Sequence, residues 1–273
     1  MNEKNRVCKL CQSSKLILKF SKSLLDGKII TDYYECLKCG LLQSYHLDDA
    51  SPDTLLDLYN AVEDLDTGAA WRQYVTATRI RQLVSVKLLD YNKIGRVLEF
   101  GSGSGYLINL LRHLYGWNVI GYDPYTRPYY SDQCIFKEWQ DVLDRGPFDL
   151  IIATEVFEHF VNPRDEITRL GEILNKNKSI IYITTGLYES EYTDSSWKYL
   201  VPKSAQHVSF YSKKSHQYIL SMFGGGQLSK VGANYEWLYC IDEKRNPLYL
   251  HLQSLKAFII FVLVLLGLSP KIE

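Results

Sequence analysis

The stretch VLEFGSGSGYL, residues 97–107, joins an apolar run to three glycines at alternate positions and then to an amphipathic segment. This order predicts a buried strand, a loop and a helix, and the glycines leave the backbone amides of the loop open to a ligand at the helix N-terminus. The spacing is G-x-G-x-G, whereas the motif that binds the pyrophosphate of dinucleotides is G-x-G-x-x-G. An ordinary tight turn is the alternative reading of these glycines.

Two acidic residues accompany the glycines. Glu99 precedes Gly101 by two residues, and Asp123 ends the next predicted strand, NVIGYD, 20 residues after Gly103. That interval suits an acidic residue that accepts hydrogen bonds from ribose hydroxyls. Glu99 would repel a pyrophosphate but attract the ammonium and sulfonium groups of S-adenosylmethionine. The pattern therefore favours S-adenosylmethionine as the ligand.

After residue 93, short apolar runs alternate with amphipathic segments, which is typical of βαβ units and a mostly parallel sheet. The runs predicted as strands are RVLEF, NVIGYD, CIFK, FDLIIAT and SIIYITT. Helices are predicted over 105–116, 163–177 and 212–226, the last with Ser212 as its cap, and LSKVGANYEWLYCI predicts a closing pair of strands. We therefore expect an α/β protein with a Rossmann-like sheet and helices on both faces.

The segment before residue 48 contains four cysteines in two C-x2-C pairs: Cys8, Cys11, Cys36 and Cys39. The 24 residues between the pairs suit one closed, tetrahedral four-cysteine zinc site. Zinc would supply folding energy that so short a segment cannot obtain from apolar burial. A redox pair or unligated buried thiols are the alternatives. Cys134 and Cys240 stand alone and are predicted to be buried apolar residues.

Two helices are predicted between this segment and the sheet, over SPDTLLDLYNAVEDL and over residues 69–92. Apolar residues recur in the second at helical spacing and are predicted to face the core: Trp71, Val75, Ile80, Val84 and Leu88. An alternative interpretation of the aromatic residues on these helices is that they close over the cofactor: Tyr59, Trp71 and Tyr74. The sequence thus divides into a zinc-ribbon segment (1–48), a helical lead-in (49–92), a main domain (93–242) and a hydrophobic tail (243–273).

The motifs VLEFGSGSG, FDLIIATEVFEHF, ITRLGEILNKNKSIIYITT and QHVSFYSKKS, together with Asp123, resemble the class I S-adenosylmethionine-dependent methyltransferases over residues 93–240. Within that class they are similar to ubiquinone-biosynthesis O-methyltransferases and bacterial sugar methyltransferases. The resemblance implies a seven-stranded sheet with an antiparallel final strand, cofactor over the first strands and acceptor beside the fourth and fifth. The chain departs from the class at NKNKS, where a Pro-Gly-Gly turn is common, although asparagines suit such a turn.

The expected cofactor-binding residues follow the glycine loop and the strand ends. They are Glu99, Gly101, Ser102, Gly103, Gly105, Asp123, Pro124, Glu138, Trp139, Thr154 and Glu155. Glu138 and Trp139 come after the third strand of the domain, where an adenine ring would lie, although Trp139 could equally be a core residue. An N-terminal zinc ribbon ahead of such a domain is similar to sugar C-methyltransferases.

Methyl transfer from a sulfonium is an in-line displacement, which needs a base only if the acceptor must lose a proton. His159 follows the fourth strand of the domain, and the neighbouring Glu158 could orient it. His207 follows the irregular segment YESEYTDSSWKYLVP, which is long enough for a lid. We expect both histidines to be catalytic; packing of His159 and a hydrogen-bonded loop role for His207 are the alternatives. Four aromatic residues of the segment could stack on sugar rings or pack the loop: Tyr188, Tyr192, Trp197 and Tyr199.

Lysine plus arginine equals aspartate plus glutamate, 31 each, so the net charge does not favour nucleic acid. The polar N-terminus and paired cysteines are typical of a reducing, cytoplasmic compartment. The apolar stretch AFIIFVLVLLGL, residues 257–268, is shorter than a spanning helix. A buried terminal element and an in-plane anchor at the inner face of the membrane are both open readings.

These observations favour a methyltransferase that acts on an oxygen, or less readily a carbon, of a small metabolite such as a sugar or lipid-linked saccharide. DNA is not expected as a partner. Two other functions remain open at the level of sequence. One is RNA methylation with the ribbon gripping the substrate, which predicts a basic surface. The other is an interaction module that binds zinc and cofactor without turnover.

Overall fold

The computed structural model describes residues 6–63, 67–176, 178–231, 235–241 and 259. The chain forms two compact units. The ribbon unit comprises Met1–Asp64, Glu155–Gly171 and Thr185–Gly224, and the sheet unit comprises Leu65–Thr154, Glu172–Thr184 and Gly225–Glu273. The chain enters the ribbon unit at Glu155 and at Thr185, each directly after a strand of the sheet unit.

The strands are β1 (Leu16–Leu24), β2 (Ile29–Cys36), β3 (Leu42–Gln43), β4 (Arg96–Phe100), β5 (Asn118–Tyr122), β6 (Ile135–Phe136), β7 (Leu150–Thr154), β8 (Ile180–Thr184), β9 (Ser209–Phe210), β10 (Gln227–Lys230) and β11 (Glu236–Cys240). The helices are α1 (Pro52–Glu63), α2 (Thr67–Ser85), α3 (Tyr106–Tyr115), α4 (Trp139–Leu143), α5 (Pro163–Glu172) and α6 (Lys213–Met222).

The sheet unit contains a seven-stranded sheet in the order β10-β11-β8-β7-β4-β5-β6. Strand β4 pairs in parallel with β5 and β7, and β7 pairs in parallel with β8. Strand β11 pairs antiparallel with both β8 and β10. The predicted α/β class, the seven strands and the antiparallel final strand are therefore confirmed.

The core of the sheet unit explains why the strands were visible as unbroken apolar runs. Parallel strands covered on both faces need apolar side chains at successive positions. Val97 and Leu98 of β4, like Ile151 and Ile152 of β7, are fully buried. Helix α3 packs its apolar stripe on this core and ends at Gly116, whose left-handed backbone (φ 63°) caps the last turn.

Two sequence predictions in the sheet unit were wrong. The helix predicted over 163–177 ends at Glu172, because the backbone N–H of Phe148 donates to the Ile173 carbonyl and draws the next residues into a β-bridge. Trp71 was predicted to face the core, but its side chain is 66% exposed, and Tyr74 is 51% exposed. Ile80 is buried as predicted, and it shares the buried face of α2 with Ala77 and Leu83.

The ribbon unit is built on a four-stranded antiparallel sheet in the order β1-β2-β3-β9. Leu25–Gly27 forms a short 3-10 turn between β1 and β2. Behind the sheet lies a small core of five buried residues: Tyr33, Leu42, Tyr188, Leu200 and Phe210. Helix α6 begins at the predicted cap, where the Ser212 hydroxyl accepts from the backbone N–H of Ser215.

The irregular segment over residues 186–208 is fastened to the β1–β2 hairpin. The hydroxyls of Tyr188 and Ser190 donate to Glu35 at 3.0 and 2.6 Å. The Leu25 N–H donates to the Pro202 carbonyl at 2.8 Å. Burial of Tyr188 and Leu200 adds apolar contact to these bonds. The segment is therefore a packed part of the ribbon unit, whereas the sequence had suggested a lid.

Within the described part of the chain, none of the helices has both the length and the apolar composition needed to cross a bilayer. The apolar tail over residues 257–268 lies outside the described residues, except for Ile259.

Candidate functional site

The glycine loop joins β4 to α3 and depends on its glycines for backbone conformation. Gly101, Gly103 and Gly105 all have left-handed φ angles, 72°, 49° and 78°, which residues with a Cβ rarely adopt. A Cβ at Gly105 would overlap the backbone carbonyl of Tyr130, whereas at Gly103 the nearest atom would be Nε2 of Gln73 at 3.8 Å. Gly105 therefore has no room for a side chain, because the loop packs against Tyr130 there. The space next to Gly103 is open.

Asp123 directly follows β5 and is fixed against this loop. Its Oδ2 accepts from the N–H of Gly103 at 2.8 Å. Its Oδ1 accepts from the N–H groups of Tyr125 and Thr126 at 3.0 and 2.8 Å. Asp123 is 7% exposed, and the next residue, Pro124, is half-buried. Three backbone donors thus orient the carboxylate beside the glycine loop, and binding of a ribose by Asp123 stays a prediction.

Glu99 is buried under the loop, with 1% of its surface exposed. Burial raises the pKa of Glu99 well above its usual range, and the charge of Asp123 raises it further. Its Oε2 and the Oγ of Ser102 are buried and have no hydrogen-bond partner among the described residues. Because buried polar atoms are nearly always paired, these two atoms are the expected mark of a ligand site.

Gly121, in the interior of β5, is a residue that the sequence reasoning missed. A Cβ there would lie 2.6 Å from Ser102 Oγ and 2.6 Å from Ile108 Cδ1. The available signal was a glycine inside a predicted strand, which often marks a close approach of another segment.

The predicted adenine-side residues lie next to the ends of β4 and β5. The Trp139 ring meets the rings of Tyr122 and Phe100 edge-on, with centroids 5.3 and 6.2 Å apart. Glu138 is exposed. At the end of β7, the hydroxyl of Thr154 lies 3.2 Å from that of Thr76 on α2. The sheet unit therefore brings together the glycine loop, Asp123, Glu99 and Ser102, with Trp139 at the neighbouring strand ends.

Glu155, the last of the predicted cofactor residues, lies in the ribbon unit with the candidate acceptor residues. Its φ angle is 53°, an uncommon conformation for a residue with a side chain and one that clusters at functional sites. Its Oε2 accepts from the Tyr199 hydroxyl at 3.0 Å.

His159 and His207 are brought together, as expected if both act on one acceptor. Their rings are perpendicular, with centroids 4.8 Å apart. Nδ1 of His207 lies 2.6 Å from the Tyr199 carbonyl oxygen, which can only accept. Nδ1 therefore carries the hydrogen, and Nε2 of the neutral ring holds a lone pair. The Tyr59 ring packs edge-on against His159 at 5.5 Å.

Glu158 lies beside both histidines. One of its oxygens and one ring nitrogen from each histidine all lie within 4.8 Å of one another. Its carboxyl group is fully buried and is contacted by the hydroxyls of Tyr199 at 2.6 Å and Thr185 at 2.9 Å. Burial raises the pKa of Glu158 above its usual value.

Two further residues shape this cluster and were missed at the level of sequence. Thr185 and Gly186 follow β8, and a Cβ at Gly186 would overlap the Tyr199 ring. The sequence predicts only stacking or loop packing for Tyr199, whereas its hydroxyl contacts Glu155 and Glu158. The sequence offers little indication of these contacts, because an irregular segment has no periodicity that would show which of its residues contacts the loop after β7.

The four cysteines of the N-terminal pairs converge in the ribbon unit. All four are buried, and their Sγ atoms lie within 4.8 Å of one another, with two pairs at 3.5 Å. The hydrogen bond between Cys8 and Cys39 lowers the pKa of Cys8 to about 5 and raises that of Cys39. Gly40, with φ 73°, completes the second pair, where a side chain would overlap the Ser212 hydroxyl. As predicted, Cys134 and Cys240 are separately buried.

Comparison with solved structures identifies the fold. The plantazolicin methyltransferase BpumL, in complex with SAH, superposes with a TM-score of 0.51 at 16% identity, over 81% of this chain and 88% of that one. An O-methyltransferase family protein from Burkholderia thailandensis gives a TM-score of 0.47 at 11% identity, over 72% of this chain and 62% of that one. Human N-acetylserotonin methyltransferase, in complex with SAM, gives 0.45 at 17% identity, over 67% and 58%. The chain thus spans less than two thirds of the latter two proteins.

No curated protein matches the chain in sequence. A family model described as a methyltransferase domain matches residues 69–224, which is more than half of the chain. That range includes the glycine loop, Asp123 and both candidate histidines. The chain therefore belongs to the methyltransferase domain family.

Proposed function

We propose that this protein is an S-adenosylmethionine-dependent methyltransferase that methylates an oxygen of a small-molecule acceptor. The observation that carries the proposal is the cradle in the sheet unit: an open glycine loop, the oriented Asp123 carboxylate, and buried Glu99 and Ser102 atoms that have no partner in the described chain. Membership of the methyltransferase family supports it.

The charge of the cradle favours a cationic ligand. Glu99 and Asp123 interact strongly enough for one to raise the pKa of the other, so an added pyrophosphate would be repelled. An ammonium or sulfonium would instead stabilise the ionised form of Glu99. Asp123 would hold the ribose, the loop from Gly101 to Gly105 the amino-acid portion, and Trp139 would flank the adenine.

We assign acceptor binding to the ribbon-unit residues that follow β7 and β8, since the resemblance places the acceptor beside these two strands. When bound, S-adenosylmethionine supplies a methyl group on a sulfonium, whose transfer to an acceptor oxygen leaves the bonding electron pair on sulfur. His207 is the residue that we assign to take the proton that the acceptor hydroxyl loses, because its Nδ1 donates to a backbone carbonyl and Nε2 of the neutral ring is therefore the basic nitrogen. His159 flanks it as the second candidate.

A sugar or lipid-linked saccharide is the acceptor class that we propose. The Trp197 and Tyr199 rings lie 5.4 Å apart, and Tyr199 and His207 lie 4.9 Å apart. Such rings can pack on the apolar face of a pyranose while carboxyl groups bind its hydroxyls. The two C-x2-C pairs favour a reducing, cytoplasmic location, because such spacing is typical of metal-binding rather than disulfide-bonded cysteines.

We also propose that the four N-terminal cysteines hold a structural zinc ion. Sulfurs around one tetrahedral zinc, each about 2.3 Å from the metal, lie just under 4 Å apart, and the observed Sγ positions need little movement to reach this geometry. Four sulfur ligands leave no open position, so the site would stabilise the ribbon unit and take no part in methyl transfer.

Calorimetry tests the cofactor assignment. Wild-type protein should bind S-adenosylmethionine, and Asp123→Asn should weaken binding by tenfold or more, which is the size of effect expected for a charged hydrogen bond. The matched control is Asp132→Asn, because Asp132 is an exposed carboxylate in the turn before β6. A clear isotherm for a nicotinamide dinucleotide, with none for S-adenosylmethionine, would contradict the proposal.

Transfer of radiolabel tests the acceptor. Sugar nucleotides, lipid-linked glycans and RNA are offered separately with labelled S-adenosylmethionine. His207→Gln should keep cofactor affinity and slow transfer by about 10²- to 10⁴-fold, whereas His113→Gln, on the exposed face of α3, should change neither. Label found in RNA alone would show that the acceptor is RNA and not a saccharide. Label found in none of the three would favour a module that binds the cofactor without turnover.

A further inference from the structure

Tyr199 contacts Glu155, Glu158 and His207. Its hydroxyl oxygen lies 2.6 Å from Oε1 of Glu158 and 3.0 Å from Oε2 of Glu155. Its backbone carbonyl accepts the Nδ1–H of His207. Its ring lies where Gly186 has no side chain. A single residue therefore sets both the carboxyl contacts and the tautomer of His207.

The two oxygen contacts of the Tyr199 hydroxyl require more than one proton. A hydroxyl carries one hydrogen and donates it along one short contact. In the second short contact, the lone pairs of the phenol oxygen and of a carboxylate oxygen would then face each other and repel, unless that carboxyl group itself carries a proton. Burial, followed by the two glutamates, raises the pKa of Tyr199 well above its usual value, so the phenol stays neutral. The missing proton belongs to one of the two carboxyl groups.

Burial decides which carboxyl group carries this proton. Glu158 is fully buried, whereas Glu155 is partly exposed and its charge can be hydrated. The shorter contact, 2.6 Å, is the one to Glu158. With the proton on Oε1, Glu158 donates to Tyr199 and Tyr199 donates to Glu155, while Oε2 of Glu158 still accepts from the Thr185 hydroxyl at 2.9 Å. Each of these three contacts then has one donor and one acceptor.

We propose that Glu158 is a neutral carboxylic acid in the resting protein, held so by its full burial, and that this keeps His159 and His207 unprotonated and able to accept a proton. An ionised Glu158 within 4.8 Å would raise the pKa of each histidine by about one to three units and hold it as an imidazolium at neutral pH. The titratable groups facing Glu158 or its histidines are Tyr59, Glu155, His159, Tyr199 and His207.

Glu158 and Tyr199 are positioning residues in this scheme, since they act through the histidines. Their role in catalysis rests on the proposed function, whereas the protonation state can be measured on the protein alone. Failure of the protonation measurement therefore differs from failure to find an acceptor.

The first test follows the histidine titrations by NMR in wild type and Glu158→Gln. Gln has the shape of the neutral acid, so the pKa values of His159 and His207 should change by no more than a few tenths of a unit. If Glu158 is instead ionised in wild type, the substitution removes a nearby negative charge and both pKa values should fall by about one unit or more. That fall would overturn the proposal. Glu191→Gln, which removes an exposed carboxylate from the same segment, is the matched control.

Infrared spectroscopy provides a second test that does not require the Gln variant to fold. Wild-type protein at neutral pH should show protonated carboxyl bands that shift in heavy water, from Glu158 and from the buried Glu99. Tyr199→Phe should move the frequency of the Glu158 band alone, since the substitution removes the hydroxyl that accepts its proton and leaves Glu99 untouched. Protonated carboxyl bands that are all unchanged in Tyr199→Phe would overturn the proposal.

Discussion

Gly186→Ala should disrupt the acceptor cluster through one steric overlap. The φ angle of Gly186 lies outside the left-handed range, so alanine meets no backbone penalty there. The obstacle is the Tyr199 ring, because an added Cβ would lie 2.8 Å from its Cγ and closer still to Cδ1 and Cε1. Ordinary carbon contacts are about 3.5 to 4.0 Å. The ring must therefore retreat by about 1 Å.

The cost of that retreat follows from what holds the ring. Overpacking of a buried site costs about 1 to 3 kcal/mol. Movement of the hydroxyl by about 1 Å also breaks its contacts with Glu155 and Glu158, and a buried polar group left unpaired costs about 1 to 3 kcal/mol. We therefore expect Gly186→Ala to lower the free energy of unfolding by about 2 to 5 kcal/mol and to release the fixed tautomer of His207.

A double-mutant cycle isolates the overlap. Urea unfolding is measured for Gly186→Ala, Tyr199→Ala and the double variant. Once the ring is absent, the Gly186→Ala substitution should cost almost nothing, which gives a coupling energy of about 2 kcal/mol or more. Gly171→Ala is the matched control, since its Cβ would meet Phe223 at an ordinary 3.7 Å in helix α5. Effects of the two substitutions that add within about 0.5 kcal/mol would refute the steric argument.

Three other predictions concern the cradle and the ribbon. Glu99 must ionise to pair with a cation, so S-adenosylmethionine affinity should fall as the pH drops below its raised pKa; calorimetry should detect proton release that Glu99→Gln abolishes, and pH-independent binding by wild type would contradict this. Gly105→Ala should abolish binding by overlapping a backbone carbonyl, whereas Gly116→Ala, equally left-handed but open, should cost about 1 kcal/mol and leave affinity unchanged. Cys36→Ser should lower bound zinc by elemental analysis and lower the Tm, whereas Cys134→Ser should retain the metal; equal zinc in both would argue against the four-cysteine site.

The sheet could be predicted from sequence because its strands are parallel and covered on both faces. Such strands appear as continuous apolar runs, and RVLEF coincides with β4 residue for residue. Local signals also sufficed for the caps at Ser212 and Gly116. The end of α5 was missed because a tertiary contact, the bridge between Phe148 and Leu174, competes with the helix there. Periodicity misled at Trp71, since helical spacing does not show which stripe of a helix is covered.

The cradle could be predicted in the same way, since Glu99, the glycines and Asp123 lie within two adjacent strands and their loops. The histidine cluster could be predicted only in part. Glu158 and Tyr199 are 41 residues apart, and Tyr199 lies in an irregular segment with no periodicity to fix its direction. The requirement for glycine at 186 likewise arises from the Tyr199 ring rather than from a turn. These constraints exist only once the segment has folded on the β1–β2 hairpin.

Each of the two candidate sites contains a buried glutamate, and we expect the two glutamates to differ in protonation state once the methyl donor is bound. Glu99 has an oxygen with no partner in the described chain, so its ionised form is stabilised only when a cation arrives. Glu158 is fully buried beside hydroxyl groups and a second carboxyl group, and burial favours its protonated form. Binding of the methyl donor should therefore release a proton from the sheet unit, while Glu158 in the ribbon unit keeps its proton and His207 stays neutral. If Glu158 also lost its proton when the methyl donor binds and Glu99 ionises, the two carboxyl groups would not behave differently and this argument would be wrong.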